Sequence, residues 1–383
     1  MQNGFCLSDA GNLVIEMTSE VEPQGAGVDI QNHLKEWAAK CDEQINEYLK
    51  TFSDQSMIDK LLGSKTDYDY DIEAIRKSVI DPITYTLDLG GKRWRPILML
   101  DIISALGKDP NKYVKPSIIP EIIHNATLLH DDVEDSSEKR RGADAVYVKF
   151  GVDVAVNVGA TMYYMAPLFL FNENNLSKDT IFNMIKVYQR EMLRVHIGQA
   201  TDIAWHRALV DPFGVTERQY LQMVLSKTGV LPRISAMLGG IIGGADDELI
   251  EALGRFGASI GVAFQIKDDL LNITPSPLAE SKGGVGDDIS EGKITLMVIK
   301  TFSLASEVDR KRLKELLSMH TKDKKLINEA ISIIDKYGAK EYCANKAREI
   351  TDAAWADVDA LLPESKGKDN LKMMADFLIN RSI

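Results

Sequence analysis

The stretch His130-Asp131-Asp132-Val133-Glu134-Asp135 follows a mostly apolar run from Ile122 to Leu129 and limits what this chain can fold into more than any other segment. Four acids in five positions repel one another unless something positive sits among them. On a helix, Asp131 and Asp135 are four residues apart and share a face, with Asp132 beside them. Clustered carboxylates with no cysteine nearby suit a hard, oxygen-seeking cation such as Mg2+ better than Zn2+. Taken alone, the stretch would read equally well as a solvated acidic helix end.

A second acidic pair changes that balance. Asp268-Asp269 lies 137 residues downstream (268 minus 131) and again follows an apolar helical run, Ile260 to Ile266. Asn272, three residues past Asp269, adds an amide oxygen on nearly the same face. Two such helices facing each other would wall a pocket with carboxylates. Mg2+ usually binds through one or two carboxylates plus substrate phosphates, so the pattern points to a diphosphate-bearing substrate.

The remainder reads as helix after helix. From Asp29, apolar residues recur at three- and four-residue steps (Ile30, Leu34, Trp37, Cys41, Ile45, Leu49). A loop with a short helical insert follows over about 52–69. Further helices are predicted at about 71–88, 96–106, 117–136, 143–150, 152–171, 178–208, 216–243, 246–271, 292–302, 308–318, 323–336, 338–361 and 368–380. Almost nothing alternates with period two and no repeat of fixed period occurs, so the fold class is all-α. Breaks at 107–110, 274–277 and 281–286 look like turns rather than interdomain linkers. The expected organisation is one helical domain over 29–383, preceded by a disordered tail over 1–28.

Composition removes several function classes. With 383 residues, 45% hydrophobic and 27% charged, the chain is long enough to bury a large core. Its net charge of −12, with no basic stripe, argues against nucleic acid as a partner. Three scattered cysteines (Cys6, Cys41, Cys343) fit neither a metal spacing nor a disulfide framework. No basic or Arg-rich leader precedes Lys35, so a cytoplasmic location is expected. The run from Val154 to Phe171 is apolar, but Asn157, Gly159, Thr161 and Pro167 mark it as a core helix, and no membrane span is expected.

Cations gather around the acids. Gly90-Gly91 lets the backbone approach an anion closely, and Lys92, Arg93 and Arg95 follow at once. Arg140-Arg141-Gly142 stands just past the first acidic cluster, where it would clamp phosphate oxygens or merely pair with surface acids. Lys227-Thr228-Gly229 interrupts a long apolar helix, where an unpaired lysine is costly to bury. Gln199 and Asp202 supply another amide and carboxylate, and Lys282, Asp288 and Lys293 complete the polar set. His124 lies two helical turns before Asp131 on the same face.

In this order and spacing, residues 90–96, 131–135, 140–142, 198–202, 227–228, 264–269 and 288–293 resemble the trans-isoprenyl diphosphate synthases, the polyprenyl synthetase family, and among them geranylgeranyl diphosphate synthases. The resemblance implies a single-domain bundle of antiparallel helices around a central cavity (the isoprenoid synthase type I fold), usually as a homodimer. It implies a Mg2+-dependent head-to-tail (1'-4) condensation of isopentenyl diphosphate with dimethylallyl, geranyl or farnesyl diphosphate, giving a linear all-trans product. About three Mg2+ ions would be held by Asp131, Asp135 and Asp268, with Asp132 and Asp269 in support. Arg140, Lys227, Lys282 and Lys293 would hold the allylic diphosphate, and Lys92, Arg93, Arg95, His124 and Arg141 the isopentenyl diphosphate. Lys227, Thr228 and Gln265 would stand nearest the reacting atoms. Asn272 departs from the family, which often has a third aspartate there.

By the same resemblance, a bulky aromatic four or five residues before Asp131 stops growth near farnesyl. Those positions are Thr127 and Ala126, with Ile123 a turn deeper, so the product should reach geranylgeranyl (C20) or longer before Tyr163 or Tyr164 blocks it. The rival readings are a class I terpene cyclase, whose second metal triad the sequence lacks, and a non-catalytic partner subunit, which would typically lose an acidic motif.

Overall fold

The computed structural model describes residues 26–274 and 285–380, and the predicted helices are nearly all present. They are α1 (Ala26–Leu49), α2 (Gln55–Leu62), α3 (72–88), α4 (Trp94–Ala105), α5 (Ile119–Glu134), α6 (Val146–Phe150), α7 (Val152–Leu168), α8 (Lys178–His206), α9 (217–243) and α10 (Asp247–Asn272). After the next stretch come α11 (Asp287–Ser290), α12 (Leu296–Leu304), α13 (Glu307–Ser318), α14 (Lys324–Lys336), α15 (Ala339–Asp359) and α16 (Lys366–Asn380). The expected tail over 1–28 lies outside the described residues except for its last three, which begin α1.

Helix starts follow side-chain chemistry. Ser177 caps α8 through the Thr180 N–H, Asp246 caps α10 through the Leu249 N–H, and Thr216 with Gln219 forms a capping box on α9. The second half of α9 and the middle of α10 are apolar nearly all round and so become the central helices. They pack on each other, on α4 and on α15, while α5 packs on α7. Two apolar cores result, one built largely from α1, α4, α5, α7 and α8, the other from α12 to α15. Both α9 and α10 run through the two, so the cores meet along that pair.

Departures from the predicted elements are local. The helix expected from 143 starts at Val146, because Ala143–Asp144 pairs antiparallel with Lys139–Arg140 as a minimal hairpin. Its turn needs two positive φ angles, 53° at Arg141 and 82° at Gly142, which is the I′ geometry that suits tight hairpins. Helix α9 is not broken at Lys227 but widens into a π turn over Leu225–Gly229, a form that recurs at functional sites. The helix expected at 292–302 starts later, at Leu296, and runs to Leu304 as α12, while the short α11 precedes the expected range.

The C-terminal ends of α5, α8 and α10 gather beside this π turn. Helix C-termini already carry partial negative charge, and neither α5 nor α10 has a basic residue in its last turn. Adding aspartates there makes one end of the bundle a place that requires cations.

Candidate active site

The cations present are the protein's own. Lys227 Nζ bridges Asp202 Oδ2 at 2.5 Å and Asp131 Oδ1 at 3.1 Å. Gln199 Nε2 donates to the same Asp131 oxygen at 3.1 Å and to Glu134 at 2.5 Å. Arg140 pairs with buried Asp132 through Nε at 2.9 Å and through a second, shorter contact. Lys293 Nζ lies 2.5 Å from Glu291, 3.8 Å from Asp288 and 4.0 Å from Asp135. Burial pushes against the charge of Asp131, but Lys227 and Arg140 outweigh it and hold that carboxyl below the usual range. Asp135 has weaker cover; burial and the neighbouring Asp131 charge push it up to about 6.

Lys227 reaches this position because α8 passes very close to the π turn. At Gly198 a Cβ would meet Lys227 N at 2.5 Å and Ser226 C at 2.6 Å, so only glycine permits the crossing. Asp268 and Asp269 close the opposite wall at the end of α10. Both Asp269 oxygens are engaged, Oδ2 by the Tyr220 hydroxyl at 2.7 Å and Oδ1 by Gln265 Nε2 at 2.8 Å. Gln265 Oε1 accepts from the Thr228 hydroxyl at 3.1 Å. Asn272 turns away from the acids: its side-chain oxygen accepts the Asp288 N–H at 3.1 Å and anchors the returning chain.

Beside the acids lies a positive box. Arg95 and His124 line the same cavity as Asp131 and Asp268. Burial lowers the Arg95 guanidinium to about 10, and its Nε is buried with no hydrogen-bond partner among the described residues. Burial, then Arg95, Arg141 and Arg140, keep His124 well below its usual pKa, so it is a neutral ring among arginines. Arg141 donates to the Gly90 carbonyl. Lys92 Nζ sits 5.0 Å from the Phe377 ring on α16. Gly91 has φ 151°, and a Cβ there would lie 2.8 Å from Arg93 Nη1.

Arg93 is a correction to the predicted anion-binding set. Its backbone takes φ 50°, which turns the side chain inward, and the buried guanidinium pairs with Glu121 and Asp42, each at 2.8 Å. It also donates to the Leu87 carbonyl at 2.9 Å, so its hydrogen bonds are spent inside the fold. Lys282 lies outside the described residues.

Two compartments meet at Asp131, Lys227, Thr228 and Gln265. One, of about 240 Å3, runs between α5, α7 and α8 past Thr127, Leu128, Tyr163, Val195, His196 and Leu231. The other, of about 160 Å3, holds Asp135, Asp202, Tyr220, Asp269 and Lys293. The Tyr163 ring stands edge-on to His130 at 5.3 Å and to His196 at 5.4 Å, forming an aromatic cluster in the first. Tyr164 points the other way and is 78% exposed, so of the two predicted blocking tyrosines only Tyr163 faces the cavity. Ile123 and Ala126 are closed inside the apolar core and Thr127 lines the cavity wall. His130, His196 and Tyr220 were not singled out by sequence; the available signal was spacing, Tyr220 standing seven residues before Lys227 and His196 three before Gln199.

Among the described residues no three acidic, histidine or cysteine side chains converge into a ready-made metal cage. The donor set is nevertheless all oxygen, partly exposed at Asp131 and Asp135, and balanced by the ammonium groups of Lys227 and Lys293. Such a set fits Mg2+ arriving with phosphate oxygens rather than alone.

A family described as polyprenyl synthetase matches residues 76–334, more than half of the chain. The short chain isoprenyl diphosphate synthase of Methanothermobacter thermautotrophicus is 36% identical over 317 residues, 81% of this chain and 94% of that protein. The geranylgeranyl diphosphate synthase of Saccharolobus solfataricus is 34% identical over 76% of this chain and 87% of its own. Among solved structures, a geranylgeranyl pyrophosphate synthetase from Pyrococcus horikoshii superposes with a TM-score of 0.78 at 31% identity, covering 93% of this chain and 99% of that one.

Proposed function

This chain belongs to the polyprenyl synthetase family, and on that premise we propose that its cavity elongates an allylic diphosphate with isopentenyl diphosphate to linear all-trans geranylgeranyl diphosphate. The enzyme is a Mg2+-dependent prenyltransferase. The observation that carries the substrate pair is one cavity lined by acids (Asp131, Asp268), by a positive box (Arg95, His124) and by the apolar side chains of Leu128, Val195, Leu231 and Phe264.

Asp131, Asp135 and Asp268 would hold the Mg2+ ions, about three when the site is loaded. Bound Mg2+ neutralises the charge that builds on the leaving diphosphate. Arg140, Lys227 and Lys293 exchange their carboxylate partners for its oxygens, while Lys92, Arg95, His124 and Arg141 seat isopentenyl diphosphate alongside. The allylic C1–O bond breaks, and its electron pair leaves with pyrophosphate. The isopentenyl double bond then attacks C1, and the proton it sheds passes to the departing pyrophosphate. Thr228 and Gln265 turn oxygen lone pairs toward the developing cation. Buried apolar walls keep water from quenching it. The Tyr163, His130 and His196 cluster limits chain growth at C20.

Two features support a homodimer working as a single helical unit per chain. Val152, Val156 and Tyr164 on α7 and Phe182, Leu193 and Ile197 on α8 are large apolar side chains left exposed, the kind of surface that interaction sites use when such residues gather. Two described helices, Val152–Phe171 and Asp247–Asn272, are long and apolar enough to cross a membrane, yet half or more of each is buried inside the protein. A second copy therefore suits the open face of α7 better than lipid, consistent with a cytoplasmic enzyme. A solution mass of one chain would refute the dimer.

Product analysis tests the function. Purified protein with Mg2+, isopentenyl diphosphate and each allylic diphosphate should yield linear C20 diphosphate. Arrest at C15 would refute the open cavity beyond Thr127, and cyclic hydrocarbon would overturn the reaction itself.

A further inference from the structure

Helix α9 carries Tyr220 five residues before its π turn begins at Leu225, and the residue is 2% exposed. Its hydroxyl donates to Asp269 Oδ2 at 2.7 Å. From the other carboxylate oxygen a chain of hydrogen bonds runs back to α9: Gln265 Nε2 to Asp269 Oδ1 at 2.8 Å, then Thr228 Oγ1 to Gln265 Oε1 at 3.1 Å. Every hydrogen in this chain points toward the carboxylate. An amide that gives its N–H to Asp269 must present its oxygen to Thr228. Thr228 has only one hydroxyl hydrogen and spends it on that oxygen, so lone pairs alone remain to face the space where the two compartments meet.

The polarity of the whole chain depends on a carboxylate fixed at both oxygens. Without the tyrosine, Asp269 would keep one bond and could rotate, and Gln265 could flip its amide end for end. A buried carboxylate with both oxygens taken by protein donors is also poorly placed to reach a metal.

We propose that Tyr220 is a positioning residue for the prenyl transfer, holding Asp269 as a fixed anchor that orients Gln265 and Thr228, and that Asp269 is that anchor rather than a Mg2+ ligand. The proposal rests on the prenyl-transfer reading above and assigns Asp269 a different task from Asp268.

The test is a double-mutant cycle on full-length protein with Y220F, D269N and the pair. Tyr220→Phe keeps the ring and removes only the hydroxyl, so the melting temperature should stay within a few degrees of wild type. Misplacing a group by about 1 Å at a reacting site can cost on the order of 100-fold. Y220F should therefore lower kcat at least about tenfold, with KM for isopentenyl diphosphate changed by less than about threefold. Adding Y220F to D269N should cost nothing further, because the hydroxyl acts through the carboxylate. Mn2+ titration in the presence of inorganic pyrophosphate, read by electron paramagnetic resonance, should give the same number of bound ions for all four proteins. Wild-type kcat in Y220F, multiplicative losses in the pair, or a missing Mn2+ in D269N would each overturn the proposal. If wild-type protein makes no prenyl product, the functional reading fails as a whole, which is a distinct result from normal turnover with an unaffected Y220F.

Discussion

Gly198→Ala isolates the helix crossing that seats Lys227. The new Cβ would lie 2.5 Å from Lys227 N, 2.6 Å from Ser226 C and 2.8 Å from Ser226 Cβ, where ordinary contact begins at 3.4 Å. Two of those three atoms are backbone and cannot rotate away, so α8 and the π turn must separate by about 0.9 Å (3.4 minus 2.5). Helix propensity favours the variant by about 1 kcal/mol, and overpacking opposes it by about 1–3 kcal/mol. The net loss is therefore about 0–2 kcal/mol, a drop of only a few degrees in Tm for a chain of this size. Activity should suffer far more. A shift of about 1 Å at a reacting site costs on the order of 100-fold, and here it carries Lys227 from Asp131 and Thr228 from Gln265 together. Steady-state turnover with labelled isopentenyl diphosphate, alongside a thermal melt, separates the two effects. A G198A protein with kcat within threefold of wild type would refute the claim that this crossing sets the site.

Three further outcomes follow from the geometry. Arg93→Ala should destabilise by about 3–5 kcal/mol, because Glu121 is left charged and buried, whereas Arg95→Ala should raise KM for isopentenyl diphosphate with little change in melting; equal effects of the two would contradict the inward placement of Arg93. At His33, burial lowers the pKa, but the hydrogen bond to Asp101 at 2.9 Å and its charge outweigh that, so the folded value stands above 6.5. The stability it contributes is fully present below pH 6.5 and fades as pH rises through the raised value, so the Tm gap between wild type and His33→Ala should be wider at about pH 6 than at about pH 8.5. Tyr163→Ala should extend the product beyond C20 while Tyr164→Ala leaves chain length unchanged, which chromatography of the dephosphorylated prenols would reveal.

The parts of the site legible in the sequence were those that chemistry makes conspicuous. Four acids in five positions have no comfortable place in a fold without cations, and the second pair doubles the argument. The remaining placements depend on backbone angles or distant partners. Lys92, Arg93 and Arg95 look interchangeable in sequence, and only φ 50° at Arg93, with Asp42 and Glu121 waiting on α1 and α5, turns one of them inward. Neighbouring residues on a helix point about 100° apart, so Tyr163 and Tyr164 could not be told apart until α7 packed on α5. The π turn at Leu225–Gly229 leaves no periodic mark of its own; Lys227 read as a break because a buried lysine looks wrong until Asp131 and Asp202 are placed beside it. Tyr220 reads as one more apolar residue on an amphipathic helix. Its hydroxyl matters only once α10 brings Asp269 within 2.7 Å.

The resting charge balance also explains why metal and diphosphate should enter together. Asp131 stands at a helix C-terminus among other acids, yet its carboxyl is held below the usual range, with Lys227 as its principal counter-charge. Mg2+ entering alone would compete with that ammonium group for Asp131 and set two cations side by side, with Lys227 left to Asp202 as its remaining short contact. Diphosphate entering alone adds negative charge to a mouth already walled by carboxylates. Entering as a complex, the two would solve each other's problem: Asp131 and its neighbouring aspartates would hold the metal, which would free Lys227 and Arg140 to pair with phosphate oxygens. On the proposed reading, the lysine in the π turn, the site's resting counter-ion, would also be its ligand for the leaving group, and the same crossing at Gly198 that allows the first role would set the geometry of the second.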